Sequence, residues 1–102
     1  MSKSLEFTIK GYSMYPSYTP GETIVFDKIT NKNLKLLCEN DLVVFSHPFK
    51  KDIKLFKRVK SISGDSYFVS GDNPDPNSSF DSHNFGSINK SDILAYKKES
   101  PR

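Results

Sequence analysis

Turn-forming residues punctuate this chain closely, and no strong long-helix signal appears between them. Gly11, Pro16, Pro20-Gly21, Asn31 to Asn33, His47-Pro48, Ser63-Gly64-Asp65 and Gly71 to Pro74 leave only short stretches for regular structure. Within those stretches apolar residues alternate or form brief continuous runs, which is the period of strands. Leu5, Phe7 and Ile9 share one face of a first strand. Thr23 to Asp27, Asp41 to Ser46, Ile53 to Ile62, Tyr67 to Ser70 and Ile93 to Tyr96 follow as further strands. Asn33 to Leu37 fits either a helical turn or a connector, and Asn73 to Asn84 is the longest irregular segment. The expected fold is mainly β with little helix, a small coiled-sheet or barrel-like domain over residues 1–102. Residues 97–102 read as a frayed tail.

At 102 residues the chain has the length of one domain with a modest core. The formal net charge of +3 is mild, and basic residues occur as doublets such as Lys50-Lys51 rather than as a patch. Nucleic acid is therefore not the expected partner. Cys38 is the single cysteine, so no internal disulfide can form and no Cys pair exists for zinc. Cys38, His47, His83 and the acids show no ligand spacing, and no metal or cofactor is expected. No apolar leader and no 18-residue apolar run occurs, which predicts a soluble, cytoplasmic protein without a membrane contact.

One strand carries an anomaly. Side chains of equal parity point to one side of a sheet. In Ile53 to Lys60 the even positions Lys54, Arg58 and Lys60 make a cationic, solvated face, apart from Phe56. The odd positions Ile53, Leu55 and Val59 are aliphatic, and Lys57 sits in their midst. Burial disfavours an ammonium, so a lysine there has a lowered pKa and can serve as a neutral general base. The alternative is that Lys57 snorkels to the sheet edge and uses its stem to cover apolar surface.

Two other segments could complete such a site. Ser13 lies on a bend, two residues after Gly11 and three before Pro16, directly after the first strand. A hydroxyl held there can be a nucleophile, although a Gly-x-Ser turn is usually only a turn. Late in the chain, Gly71-Asp72-Asn73-Pro74 and Ser79-Phe80-Asp81-Ser82 supply short polar side chains that can shape a long loop. A serine of that loop could orient a lysine Nζ.

In order and spacing, these segments resemble the type I signal peptidase superfamily of serine proteases. The matching text is Gly11 to Pro16 with Pro20-Gly21-Glu22, Asn40 to Phe45, Lys57-Arg58-Val59 with Gly64-Asp65, Gly71 to Pro74, and Ser79-x-Asp81-Ser82. Within that superfamily the short length, the missing membrane anchor, Gly71-Asp72-Asn73-Pro74 and Phe85-Gly86 are most similar to the nickel-type superoxide dismutase maturation proteases. The resemblance implies a signal-peptidase-type fold and a Ser/Lys dyad that removes the propeptide of a nickel superoxide dismutase precursor. By the same resemblance Ser13 is the nucleophile, Lys57 the general base and Ser79 the hydroxyl that bonds the lysine. Asp81 steadies the active-site loop, Asp72 and Asn73 belong to its framework, and the Ser13 N–H is one oxyanion donor. An extended substrate is expected to add as a strand near Met14.

Two positions depart from the family pattern. Gly11 stands where some signal peptidases carry a serine that supplies a second oxyanion donor. His83 stands where an arginine commonly pairs with the aspartate at Asp81, and a neutral imidazole grips less firmly than a guanidinium. Two other functions fit the same residues: a signal-peptidase-like enzyme with another substrate, and a non-catalytic β-barrel module with Tyr12, Tyr15 and Tyr18 as a stacking patch for single-stranded nucleic acid.

Overall fold

The computed structural model describes residues 3–75 and 80–99. These residues form seven strands: β1 (Ser4–Thr8), β2 (Thr23–Lys28), β3 (Leu42–Ser46), β4 (Lys54–Ser63), β5 (Ser66–Ser70), β6 (Ile88–Asn89) and β7 (Ile93–Lys97). Among the described residues the helical content is one short helix, α1 (Ser82–Phe85), and two single 3-10 turns, over Leu34–Leu36 and Lys90–Asp92. All seven strands join one antiparallel sheet in the order β1-β2-β7-β3-β4-β5-β6. The mainly β architecture agrees with the expectation. The open segment Asn33 to Leu37 resolves as the first 3-10 turn.

The sheet curls upon itself. Three strands separate β1 from β4 in the sheet order, yet the Phe7 and Phe56 ring centroids lie 6.0 Å apart. Register shifts between Val44 and Phe45 and between Val59 and Ser61 interrupt the ladders on either side of the β3–β4 pair. Such bulges bend strands and increase their twist. A two-residue connection through Gly64, at φ +58, joins β4 to β5. A positive φ at the first loop position is what a tight hairpin turn requires, and glycine adopts it without steric cost.

Curling buries β3 on both faces, which accounts for its unbroken apolar run. Leu42 and Val44 pack with Phe26, Phe56, Ala95 and Met14, while Val43 and Phe45 pack with Val59, Val69, Ile93 and Tyr96. Phe56 joins that core with 4% of its surface exposed. On the even face of β4, expected to be solvated apart from Phe56, Lys54 and Lys60 are exposed and Arg58 is half-buried.

The chain end also differs from the expectation of a tail that frays from residue 97. Lys97 closes β7, and the next two residues are tied to Asp41, a fully buried carboxylate that precedes β3. Lys98 Nζ lies 2.8 Å from Asp41 Oδ2, and the Glu99 N–H donates to Asp41 Oδ1 at 2.9 Å. A buried carboxylate needs such donors, and the segment supplies two of them. Residues 100–102 lie outside the described residues. The Cys38 thiol is exposed.

Phe26 packs edge-on against Phe56, with ring centroids 5.4 Å apart, and is 1% exposed. Phe26→Ala should cost about 3 to 5 kcal/mol, measured as a lower urea midpoint at unchanged slope. A loss below about 1 kcal/mol would contradict this packing.

Candidate active site

The bend after β1 is built by backbone requirements. Gly11 adopts φ +76, and a Cβ there would meet nothing within 4 Å, so conformation rather than space selects glycine. The Tyr15 N–H donates to Tyr12 O at 3.0 Å and the Tyr18 N–H to Met14 O at 2.9 Å, which winds the segment into two successive turns. Met14, 1% exposed, anchors the bend in the core beside Ile9, Ile24 and Phe56. Ser13 is left half-buried at the rim. Among the described residues its N–H donates to no protein acceptor.

The β3–β4 register sets Lys57 opposite Val43 and on the face of Leu55 and Val59. Lys57 is 3% exposed, so it does not snorkel. Its Nζ donates to Ser13 Oγ at 2.7 Å. Burial pushes the ammonium down from its ordinary 10.5 to about 8, and the negative charge of Asp81 resists part of that fall.

The late loop closes over this pair. Asn73 clasps the serine bend twice: its backbone N–H donates to Ser13 O and its Nδ2 to Tyr12 O, both at 2.9 Å. Asp72 faces Arg58, with Nε–Oδ1 at 2.9 Å and Nη2–Oδ2 at 2.8 Å in a two-point pair. Burial opposes ionisation of Asp72, but the bonds from Arg58 and Ser17 outweigh it and hold the carboxyl below its ordinary value. Arg58 also donates to Asn40 O at 2.9 Å, and Asn40 has a positive φ of 77°. Arg58 is thus a framework residue rather than part of a solvated face. The β4–β5 register, which pairs Arg58 with Ser70, sets it beside the Gly71-Asp72 turn.

Asp81 is buried and caps α1. Its Oδ2 accepts from the Gly71 N–H and its Oδ1 from the His83 N–H, each at 3.0 Å. His83 Nδ1 lies 2.9 Å from the same Oδ1, with its ring largely exposed. Where the family pattern has an arginine, backbone donors and the capping box supply the hold. Ser79 lies outside the described residues. His47 is buried, and its Nδ1 accepts from the Phe49 and Lys50 N–H groups at 3.0 and 3.2 Å, a structural role. Among the described residues no three His, Cys, Asp or Glu side chains gather into a metal site.

A groove of about 520 Å³ runs from the Ser13–Lys57 pair between the chain from Glu6 to Met14 and the start of β4. Phe7, Ile9, Met14, Leu55 and Phe56 give it an apolar lining, and Glu6, Lys10, Asp52 and Lys54 carry charge along it. Among the described residues β1 forms the end of the sheet and pairs with β2 alone, which leaves its other edge along this groove without a strand partner. A larger, more polar cavity of about 710 Å³ lies beside Arg58, Asp72 and His83; neither Ser13 nor Lys57 lines it. Of the three tyrosines near the bend, Tyr12 and Tyr15 are exposed and edge-on to each other at 5.9 Å, while Tyr18 turns inward onto Phe56.

The lysine burial has a thermodynamic consequence. Its folded-state pKa lies below the unfolded one, so the folded state resists the proton. The stability cost is full below about pH 8, fades between pH 8 and 10.5, and is gone above that. That drop corresponds to about 3 kcal/mol. Lys57→Met, which keeps the stem, should therefore be more stable than the native chain at pH 7 by about 2 to 3 kcal/mol. The advantage should shrink between pH 8 and 10.5 in urea titrations; a gap that does not change with pH would contradict the burial of a titrating amine.

The family model described as signal peptidase, peptidase S26, matches residues 2–66. That span holds Ser13, Lys57 and both walls of the groove, and it ends before the loop of Asp72, Asn73 and Asp81. No curated protein matches the chain. With more than half of its length matched, and a curled antiparallel sheet carrying the groove, the chain belongs to the signal peptidase family, peptidase S26.

Proposed function

We propose that this peptidase is a serine endopeptidase with a Ser13/Lys57 dyad, and that its substrate is the N-terminal propeptide of a nickel-type superoxide dismutase. The observation that carries the dyad is the 2.7 Å contact between Lys57 Nζ and Ser13 Oγ, made by an amine whose pKa burial lowers to about 8. The hydrogen-bond reach needed between a nucleophile and its base is met without substrate.

In the reaction the neutral Lys57 amine accepts the Ser13 proton as Oγ forms a bond to the scissile carbonyl carbon. The Ser13 N–H, which has no protein acceptor among the described residues, donates to the oxyanion. The C–N bond then breaks, and the Lys57 ammonium protonates the departing amine. Water attacks the acyl group, gives its proton to Lys57, and Ser13 leaves with a proton returned from the ammonium. Gly11 contributes no hydroxyl, so the side-chain oxyanion donor of some relatives is missing. Substrate upstream of the cut adds as a strand to the open edge of β1, with Met14 in the groove lining beneath it.

The substrate assignment rests on the resemblance of Gly71-Asp72-Asn73-Pro74 and Phe85-Gly86 to the maturation proteases of that dismutase. Nickel belongs to the substrate and enters no step here. We place the reaction in the cytoplasm; among the described residues no helix is long and apolar enough to cross a membrane.

Incubation with a nickel superoxide dismutase precursor should yield a single new N-terminus by mass spectrometry, and an intact precursor would refute the substrate assignment. Ser13→Ala and Lys57→Met should each lower cleavage at least about 1000-fold. Full activity in either variant would refute the dyad. The native kcat/KM should rise with pH through about 8, where the lysine loses its proton; a flat profile from pH 6 to 10 would contradict Lys57 as base.

A further inference from the structure

We propose that Tyr18 and Glu99 form a clasp that positions the Ser13 bend against Lys57, through a chain end that the dyad itself never touches. The kinetic part of this proposal rests on the serine-protease reading; its structural part does not.

Tyr18 bridges the two elements that meet at the dyad. Its N–H holds Met14 O at 2.9 Å, next to Ser13, and its ring packs on Phe56, next to Lys57, with centroids 5.5 Å apart. Its hydroxyl donates to Glu99 Oε1 at 3.0 Å. Glu99 is fixed in turn: Lys97 Nζ lies 3.2 Å from Oε2, and the Glu99 N–H is bound to the buried Asp41. Lys98, between them, reaches both Asp41 Oδ2 at 2.8 Å and Leu36 O at 2.7 Å. The segment after β7 is thus anchored to the start of β3 and reaches over to the serine bend.

The charges agree with a bond that persists. Burial opposes ionisation of Glu99, but the bonds from Lys97 and Tyr18 outweigh it and hold the carboxyl below its ordinary value. Burial and then the bond to Glu99 push the Tyr18 phenol up to about 12. Donor and acceptor keep their forms across the range in which Lys57 titrates. Asn73 fixes the front of the bend at Tyr12 and Ser13, and the Tyr18–Glu99 bond fixes its far end. A bend held at both ends keeps Oγ within reach of Nζ, and small displacements of a reacting atom cost rate steeply.

The test uses the full chain with Tyr18→Phe, which keeps the ring on Phe56, Glu99→Ala, and Glu99→Gln, which keeps an acceptor. Hydrogen exchange of the amides from Tyr12 to Tyr18 should quicken about tenfold in the first two and remain near the native rate in the third. On a peptide spanning the propeptide junction, kcat should fall about five- to tenfold in the same two variants while KM changes less than about twofold. Unchanged exchange in both Tyr18→Phe and Glu99→Ala overturns the clasp. Faster exchange with an unchanged kcat overturns its positioning role. If the native chain cleaves no peptide, the protease reading fails by itself, and exchange alone decides whether the clasp exists.

Discussion

A lysine amine almost wholly removed from water, 2.7 Å from a serine hydroxyl, is the contact on which the rest of this structure depends. Burial of that group destabilises the fold, because the surrounding Val43, Leu55 and Val59 offer the ammonium nothing in place of its hydration. The sheet tolerates the cost because its cores are otherwise apolar, with Phe26, Phe45 and four valines or leucines of β3 and β4 fully buried. Asp81 moderates it by its charge while its carboxyl oxygens are engaged by backbone donors. A carboxylate gripped by the amine itself would raise the pKa and remove the base. Holding Asp81 by the Gly71 and His83 N–H groups keeps the amine titratable near neutrality.

The curl of the sheet turns this local arrangement into a cleft. Because β1 comes round to face β4, the strand that leads to Ser13 and the strand that carries Lys57 become the two walls of one groove. The charged framework lies outside it. Arg58 and Asp72 pair on the opposite side of β4 from Lys57, and Asn73 reaches from there to the serine bend. Fixed charges that shape the loop are thereby separated from the group that must change its charge during the reaction.

Much of this was legible in the sequence, for definite reasons. Parity along β4 marks Lys57 as an ammonium on an aliphatic face, and the register with Val43 bears that out. Parity misjudges Arg58, because it treats a strand as having one buried face, whereas a coiled sheet covers both; Phe56 is already the exception on that face. α1 and β6 are four and two residues long, too short to carry a period. The N-cap at Asp81 has a local signal, an Asx residue three before Asn84, but the loop's richness in Asn, Asp and Ser hides it. The order of residues 97–99 depends on the buried Asp41, fifty-eight positions from Glu99, and no local pattern can announce a partner so far away.

That Ser13 faces an amine whose titration burial brings down to about pH 8 is open to direct measurement. An NMR titration that follows the Lys57 Cε and Nζ resonances in the native chain reads the proton on that nitrogen alone. A midpoint of about 8 is expected. A midpoint at the ordinary lysine value of 10.5 would mean that the amine stays charged and cannot take the serine proton.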